Sequence, residues 1–212
     1  MRRKKTAYCI AKRGLDICAS CLGVMALSPL FAFVAVWIKR DSQGPVFFRQ
    51  ERVGRDGTLF RIFKFRTMDH SPAEKGLQIT PANDNRVTAS GRFLRKYKID
   101  ELPQLFNVIR GEMSLVGPRP EVPGYVELYP EDKKDLIFSV RPGITDIASL
   151  RYKDEGEILK KAAEPEETYI REIMPAKIDL ACRYVEEASL ALDLRLIFGT
   201  LASLMPKRSG TP

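Results

Sequence analysis

Apolar and polar positions divide the chain into one uninterrupted apolar run and a longer stretch of mixed character. The run extends from Cys18 to Ile38 and holds 21 residues without a charge. At about 1.5 Å per residue, a helix of that length is just long enough to cross a bilayer. Residues 45–68 show two runs rich in Phe and other apolar side chains on either side of Gly54-Arg-Asp-Gly57. That pattern predicts a β-hairpin behind the membrane helix.

Helical spacing dominates the remainder of the chain, with Gly and Pro marking the interruptions. Short helices are predicted from about Ser90 to Lys98, from Asp100 to Gly111 and over 130–139, with loops at 69–91, 117–120 and 141–145. The acidic stretch 154–172 predicts a solvated helix broken at Pro165. Apolar positions from Leu194 to Leu204 predict an amphipathic helix that covers a core or lies at a membrane interface. The predicted fold class is α+β, mainly helical with a small β-hairpin.

Positive charge lies on both sides of the apolar run. Residues 2–13 hold six Lys and Arg, and residues 39–66 hold eight against three Asp and Glu. The positive-inside rule favours the cytoplasm at both ends, which a straight spanning helix cannot satisfy. At the middle of the run Pro29 bends a helix, and the Ser28 hydroxyl can bond a freed carbonyl. We therefore favour a re-entrant membrane helix broken at Ser28-Pro29 over the alternative, a kinked single-pass helix.

On this interpretation residues 1–40 form a basic N-terminus and the membrane helix, and residues 41–212 form a cytoplasmic, membrane-associated domain. The chain has 212 residues with 35 Lys+Arg against 27 Asp+Glu, a formal charge of +8 that suits phosphorylated ligands, anionic lipid or nucleic acid. The single histidine, His70, excludes metal sites built from several histidines. Neither the P-loop nor the dinucleotide-binding glycine pattern occurs, so a nucleotide would have to be bound in another way.

Two adjacent carboxylates follow a basic stretch in the middle of the chain. Residues 86–98 hold five Lys and Arg and no acid, and Asp100 and Glu101 come next. Both acids suit the first turn of a helix, so capping is one interpretation. The other is chemical: nearby cations keep a carboxylate ionised, an ionised Asp can attack phosphorus, and its neighbour can hold Mg²⁺ with substrate phosphate oxygens. Spacing alone leaves both interpretations open.

The longest motif, KIDELPQLFNVIRGEMSLVGPRPE at 98–121, is similar to the signature of the bacterial sugar transferases, the monotopic phosphoglycosyl transferases. Four shorter stretches resemble the same family, in order along the chain: Ser28-Pro29, Phe63–Met68, Arg141–Thr145 and Asp193–Ile197. The resemblance implies a Mg²⁺-dependent enzyme that moves a sugar 1-phosphate from a UDP-sugar to polyprenyl (undecaprenyl) phosphate and releases UMP. It also implies a covalent phosphosugar-aspartate intermediate and a place at the first membrane step of glycoconjugate synthesis.

The same resemblance implies roles for particular residues. By this resemblance Asp100 would be the nucleophile that attacks the β-phosphorus, and Glu101 would bind Mg²⁺. Arg95 would hold polyprenyl phosphate. Three further cations would line the phosphate and nucleotide side: Lys64, Arg119 and Arg141. For each arginine, a surface ion pair is the structural alternative.

The implied location is the bacterial inner (plasma) membrane, with the catalytic domain on the cytoplasmic face. A homodimer or downstream glycosyltransferases are further candidate partners, and no nucleic-acid partner is expected. After Thr145 the chain departs from the family pattern, with DIASLRY at 146–152, which leaves the identity of the sugar open. The rival hypotheses are a membrane-anchored protein that binds nucleic acid through residues 86–98, and a non-catalytic scaffold.

Overall fold

The computed structural model describes residues 2–69, 86–152 and 155–204. One long helix, α1, covers Arg2–Asp41, and short helices surround two small sheets in the rest of the chain. The strands are β1 (Phe47–Val53), β2 (Leu59–Phe65), β3 (Ser114–Val116) and β4 (Gly143–Thr145). The other α-helices are α2 (Ala89–Lys96), α3 (Gln104–Arg110), α4 (Pro123–Val126), α5 (Glu131–Phe138), α6 (Ile147–Arg151), α7 (Glu155–Lys161), α8 (Pro165–Thr168), α9 (Met174–Glu187) and α10 (Leu190–Leu204).

The mainly helical character and the hairpin agree with the sequence prediction, but several boundaries differ. The helix expected from Asp100 is a 3-10 turn, Ile99–Glu101, followed by α3 from Gln104. Helix α9 was not predicted; a π-helical turn, Tyr169–Ile173, precedes it and interrupts the 3.6-residue period. Most of the predicted loop 69–91, including His70, lies outside the described residues.

The predicted hairpin is confirmed. Strands β1 and β2 pair antiparallel from Phe47 opposite Phe65 to Val53 opposite Leu59. The turn between them closes with Asp56 and Gly57 at positive φ, 55° and 73°. On β2 the buried residues are Phe60, Ile62 and Phe65, so strict alternation ends after Ile62. This leaves Lys64 half-buried near the end of the strand.

A second sheet was not predicted, and one of its strands replaces part of the predicted loop 141–145. Strands β3 and β4 pair parallel, with Ser114 opposite Gly143 and Val116 opposite Thr145. The backbone just after β3 passes very close to the first residue of β4: a Cβ on Gly143 would lie 2.1 Å from the Gly117 nitrogen. Three-residue strands leave no periodic signature in a sequence, which is why the pairing was missed. The loop prediction for 143–145 was therefore wrong.

The N-terminal half of α1 lies against the rest of the protein. The Arg13 guanidinium donates to the Ile109 carbonyl at 3.3 Å, at the end of α3. Further along, the buried Asp16 carboxylate accepts the Ser114 hydroxyl at 2.8 Å and the Leu115 N–H at 3.1 Å. These contacts hold the start of the helix on β3 and α3.

The C-terminal half of α1 contacts the same domain. The Phe31 ring packs edge-on against Phe65, with centroids 5.4 Å apart. At the helix end the buried Arg66 guanidinium donates to the Ser42 carbonyl at 2.8 Å and the Gln43 carbonyl at 2.7 Å. Both halves of α1 therefore contact the part of the chain that follows it.

The opposite face of α1 is apolar and exposed. Four large side chains there are each more than half exposed: Leu22, Met25, Phe33 and Val36. Among the described residues, the segment Ala7–Asp41 is the one helix long and apolar enough to cross a membrane, by length and composition. Within it, the Met25 carbonyl, which Pro29 leaves without its helical donor, accepts the Ser28 hydroxyl at 2.8 Å. The bend at Ser28-Pro29 and the re-entry stay predictions.

The C-terminal half of the chain has its own core. Helices α4, α5, α7 and α9 meet around a set of buried apolar side chains: Val122, Tyr125, Ile137, Leu159, Tyr169, Ile173, Met174, Ile178 and Ala181. Helix α10 packs through Leu196 against Val116 and Tyr184. The apolar positions that predicted α10 include Leu194, Phe198 and Leu201, and all three are exposed. The helix therefore covers a core with one face and presents a second apolar face to its surroundings.

Candidate active site

The two adjacent carboxylates lie on the short turn between α2 and α3. Lys98, immediately before the turn, has left-handed backbone angles (φ 56°, ψ 20°), which for a residue other than glycine cost about 1 kcal/mol or more. Neither Lys98 nor Pro103, the residues that precede the turn and α3, makes a side-chain capping bond. Asp100 and Glu101 thus lie in the first turn of a 3-10 helix, as the capping interpretation expects, although neither of them is the N-cap residue of that turn or of α3.

Glu101 is fixed by two cations from separate parts of the chain. The Lys64 ammonium, on β2, donates to Oε1 at 2.9 Å. Arg119 donates to both carboxylate oxygens, to Oε2 at 3.2 Å and to Oε1 through a second N–H. Burial by itself raises the pKa of the Glu101 carboxyl, but Arg119 and Lys64 outweigh it and hold that pKa well below its usual range. The charge of Glu101 in turn raises the pKa of Arg119.

Asp100 is in the opposite state, although it is the next residue. It is 8% exposed, and its Oδ1 atom has no hydrogen-bond partner among the described residues. Burial raises the pKa of the Asp100 carboxyl, and the charge of Glu101 raises it further. The cations that oppose this shift are Lys64, Arg95 and Lys98. The cations were expected to lower the pKa of Asp100, but they lower the pKa of Glu101 instead. The reason is that Lys64 and Arg119 donate hydrogen bonds to Glu101, whereas Asp100 is desolvated.

Arg95 reaches the site from α2. Its Nε atom donates to the Thr67 hydroxyl at 2.9 Å, which ties α2 to the segment that follows β2. A Cβ on Gly91, one turn earlier, would lie 2.1 Å from the Thr67 carbonyl oxygen, so only glycine allows this approach. The structure thus brings Lys64 and Arg119 onto Glu101, and the charge of Arg95 acts on Asp100.

Arg119 is positioned by the loop that leaves the parallel sheet. Its backbone N–H donates to the Asp146 carboxylate at 3.3 Å, and the same carboxylate caps α6 by accepting the Ser149 N–H at 2.6 Å. Because Asp146 follows β4 and Arg119 follows β3, the parallel pairing sets where both residues lie. The short sheet is therefore the support on which Arg119 reaches Glu101.

A second group of residues, not identified from the sequence, holds the other side of that loop. The Arg52 guanidinium, on β1, donates to the Pro120 carbonyl at 3.2 Å and to the Glu121 carboxylate at 3.1 Å. The Tyr169 hydroxyl, in the π-helical turn, donates to the other Glu121 oxygen at 2.5 Å. Glu121 could have been identified from the sequence, because it is the last residue of the family-like motif at 98–121. No sequence motif marks Arg52 or Tyr169.

Arg141 is not brought to the carboxylates. Its Nε atom donates to the Gly111 carbonyl at 2.8 Å, at the far end of α3 from Asp100. Burial lowers the pKa of Arg141, and the charges of Arg13 and Arg55 lower it further. Helix α3 has seven residues, so its two ends lie about 10 Å apart along the helix axis. The predicted contact of Arg141 with the nucleotide stays a prediction.

Comparison with known proteins places this arrangement in a family. The family model described as bacterial sugar transferase matches residues 7–207. The UDP-N-acetylgalactosamine-undecaprenyl-phosphate N-acetylgalactosaminephosphotransferase of Aeromonas hydrophila is 38% identical over 200 residues, 93% of this chain and 44% of that protein. The UDP-glucose:undecaprenyl-phosphate glucose-1-phosphate transferase of Escherichia coli (strain K12) is 35% identical over 195 residues, 91% of this chain and 39% of that protein.

The chain spans less than half the length of those two relatives. The exopolysaccharide production protein PSS of Rhizobium leguminosarum bv. phaseoli is closer in size: it is 36% identical over 210 residues, 95% of this chain and 98% of that protein. The family match covers most of α1, the hairpin, both carboxylates and α10 in one alignment. The chain belongs to the bacterial sugar transferase family.

Proposed function

We propose that this protein transfers a sugar 1-phosphate from a UDP-sugar to undecaprenyl phosphate and releases UMP, as the first membrane step of glycoconjugate synthesis. The observation that carries the proposal is the contrast within one pair of buried carboxylates. Glu101 is held by Lys64 and Arg119, while Asp100 keeps an oxygen without a partner among the described residues. The names of the relatives from Aeromonas and Escherichia coli supply the donor and acceptor classes.

In the first step, a carboxylate oxygen of Asp100 forms a bond to the β-phosphorus of the UDP-sugar. The bond from that phosphorus to the oxygen shared with the α-phosphorus breaks, and UMP leaves with the electron pair. Because Asp100 Oδ1 has no hydrogen bond to lose within the described residues, it is available for this attack. The raised pKa of the carboxyl favours the step, since a more basic carboxylate is a stronger nucleophile.

In the second step, a phosphate oxygen of undecaprenyl phosphate forms a bond to the same phosphorus. The bond to Asp100 breaks, the carboxylate is restored, and the sugar leaves as a lipid diphosphate. Burial of Asp100 keeps water from the acyl phosphate between the two steps. Arg95, which is held by Thr67 and whose charge acts on Asp100, is the cation we assign to the lipid phosphate.

The carboxylate pair also fits a magnesium ion held jointly with substrate. Among the described residues no group of three or more His, Cys, Asp or Glu side chains could enclose a metal. An ionised carboxylate has about four acceptor positions, and Glu101 accepts three N–H bonds from Lys64 and Arg119. We propose that Glu101 gives its remaining position to Mg²⁺, with phosphate oxygens as further ligands. When bound, the ion would neutralise charge on the phosphates.

We propose that the enzyme is monotopic and faces the cytoplasm at the bacterial inner membrane. Both ends of α1 contact one domain, which fits a helix that enters and leaves the bilayer on the same side. The exposed apolar faces of α1 and α10 give the domain two surfaces that suit lipid. A formal charge of +8 suits an anionic leaflet and phosphorylated substrates.

The chemical proposal is tested by the intact mass of the purified protein after incubation with Mg²⁺ and a panel of UDP-sugars, without lipid acceptor. We expect a gain of one sugar phosphate with one or more donors, and no gain with Asp100→Asn. Adding undecaprenyl phosphate should return the protein to its original mass. A folded Asp100→Asn variant with full turnover contradicts the proposal and favours the scaffold or nucleic-acid hypothesis.

The topology is tested by reagent access to single cysteines. The four native cysteines are replaced by serine, and Lys5→Cys and Ser42→Cys are labelled separately in sealed inner-membrane vesicles with a reagent that does not cross lipid. Re-entry predicts that both positions label from the same side. Labelling from opposite sides indicates the kinked single-pass helix.

A further inference from the structure

Helix α3 carries two buried amide side chains, and only one of them has an architectural use. Asn107 is fully buried, and its Oδ1 atom accepts the Phe63 N–H at 2.8 Å. Its Nδ2 atom donates to the Arg61 carbonyl at 2.9 Å and to Glu112 at 2.7 Å. Asn107 therefore joins β2, α3 and the turn behind α3, and every function of its amide is accounted for.

Gln104, one turn earlier, is equally buried and has none of these bonds. It is 1% exposed, and neither its Oε1 nor its Nε2 atom has a hydrogen-bond partner among the described residues. A buried polar group without a partner destabilises a fold by about 1–3 kcal/mol, whereas an apolar side chain of the same shape does not. An amide at this position therefore needs an explanation outside the packing of the chain.

The place of Gln104 points to that explanation. It follows Asp100 by four residues, and the backbone between them is helical: Leu102 and Pro103 both have right-handed helical angles. The backbone N–H groups of Leu102, Leu105 and Phe106 each donate to the carbonyl three residues earlier. Residues three apart on such a backbone lie on the same side of it, so Gln104 is aligned with Glu101, the neighbour of Asp100. Asp100 Oδ1 is the other buried oxygen of this segment without a partner. Two polar groups without partners among the described residues thus lie on the short segment that carries the carboxylate pair.

We propose that Gln104 is a substrate-contacting residue that binds the sugar-phosphate group while it is transferred to and from Asp100; this rests on the function proposed above. An amide offers a donor and an acceptor, and a sugar phosphate supplies the complement of both. The Nε2 group donates to a phosphoryl oxygen, and Oε1 accepts an O–H or N–H from the sugar. A phosphate alone would leave Oε1 without a donor, so the amide recognises the sugar as well.

The test replaces Gln104 by methionine, which has nearly the same length and no hydrogen-bonding function. Gln104→Met should leave the midpoint of thermal unfolding unchanged or raise it. The rate of adduct formation with the UDP-sugar should fall about ten- to a hundredfold, the loss expected for one or two hydrogen bonds to a charged group. The increase in unfolding temperature that the UDP-sugar gives the wild type should shrink in the variant.

Asn107→Leu is the matched control on the same helix. It should lower the unfolding temperature, because three bonds to Phe63, Arg61 and Glu112 are lost. If Gln104→Met destabilises the protein as much as this control does, Gln104 is structural and the inference is overturned. It is also overturned if Gln104→Met forms the adduct at the wild-type rate while Asp100→Asn forms none; in that case the proposed function stands. Absence of an adduct with the wild type would instead remove both.

Discussion

Two of the buried polar clusters among the described residues are built on opposite principles. The anchor cluster joins α1 to the domain and consists of Tyr8, Lys12, Asp16, Ser114, Tyr184 and Asp193. The site cluster lies between α2, α3 and the Arg119 loop and consists of Lys64, Asp100, Glu101, Gln104 and Arg119. Each contains two carboxylates and at least one cation, so their chemical composition does not separate them.

In the anchor cluster every carboxylate oxygen has a donor. Asp193 Oδ2 accepts the Tyr8 hydroxyl and the Lys12 ammonium, each at 2.9 Å, and its Oδ1 accepts the Tyr184 hydroxyl at 2.7 Å. Asp16 is satisfied by Ser114 and Leu115 in the same way. Complete pairing is what makes a buried charge tolerable, so this cluster stabilises the fold.

In the site cluster the pairing is uneven. Glu101 accepts hydrogen bonds from Lys64 and Arg119, whereas Asp100 and Gln104 have polar atoms without partners among the described residues. The two clusters are alike in burial and charge, and they differ in whether every buried polar atom has a hydrogen-bond partner. The fully paired cluster stabilises the fold, and the incompletely paired one is the candidate active site. A substrate that carries phosphate and hydroxyl groups would complete the second cluster, whereas the first is complete within the chain.

The largest expected effect follows Asp100→Asn, which should lower turnover at least about a thousandfold, as expected for loss of a nucleophile. It should also raise the unfolding temperature at neutral pH. The folded pKa of Asp100 is raised, so its contribution to stability is present below its unfolded pKa and is lost as pH rises through the folded pKa. The gain should therefore vanish in acid. Thermal unfolding of both proteins across pH measures it; a variant less stable than wild type at pH 7 contradicts the comparison.

The matching change in the anchor cluster is Asp193→Leu. It should destabilise the protein by about 3 kcal/mol, because Lys12 is left buried without its partner. Denaturant unfolding in detergent measures this loss. The double variant Lys12→Met with Asp193→Leu should recover much of it, since an apolar pair replaces an ion pair at little net change. No recovery would mean that Asp193 acts mainly through Tyr184.

The sequence predicted the long apolar helix and the hairpin, because a long apolar run and two strands around a glycine turn leave a clear pattern. The sequence could not show which residues of the family-like stretches hold the fold together and which take part in the reaction. Asp193, for example, belongs to a family-like stretch, yet its bonds to Tyr8, Lys12 and Tyr184 hold helices together. Such roles depend on contacts between residues far apart in the chain, which a single sequence does not record.

The pKa order of the two carboxylates was also beyond the sequence. Both acids follow the same basic stretch, and only the parallel sheet directs Arg119 to Glu101 instead of Asp100. The sheet itself consists of strands too short to leave a pattern. For the same reason Arg52 and Tyr169, which hold the Arg119 loop through Pro120 and Glu121, were not found.

A smaller effect is expected from Arg119→Lys. Lysine keeps the charge but lacks the planar fork that gives two parallel N–H bonds to Glu101, so turnover should fall about tenfold and the free energy of unfolding should fall by about 1 kcal/mol. Steady-state kinetics and denaturant unfolding measure the two losses. Arg61→Lys is the control, because its ion pair with Glu51 is exposed and 3.7 Å long and contributes little. Equal effects of the two substitutions would show that the bidentate pairing has no catalytic use.

The smallest effect is expected from Arg141→Lys, which separates the structural from the family-based view of Arg141. The bond from its Nε atom to the Gly111 carbonyl would be lost, which should lower the free energy of unfolding by about 1 kcal/mol. Since Arg141 lies at the other end of α3 from Asp100, we expect the KM for the UDP-sugar to rise less than it does in Arg119→Lys. A larger rise in KM than in Arg119→Lys would place the nucleotide near Gly111, because a residue that only holds the end of a helix changes stability without changing substrate affinity.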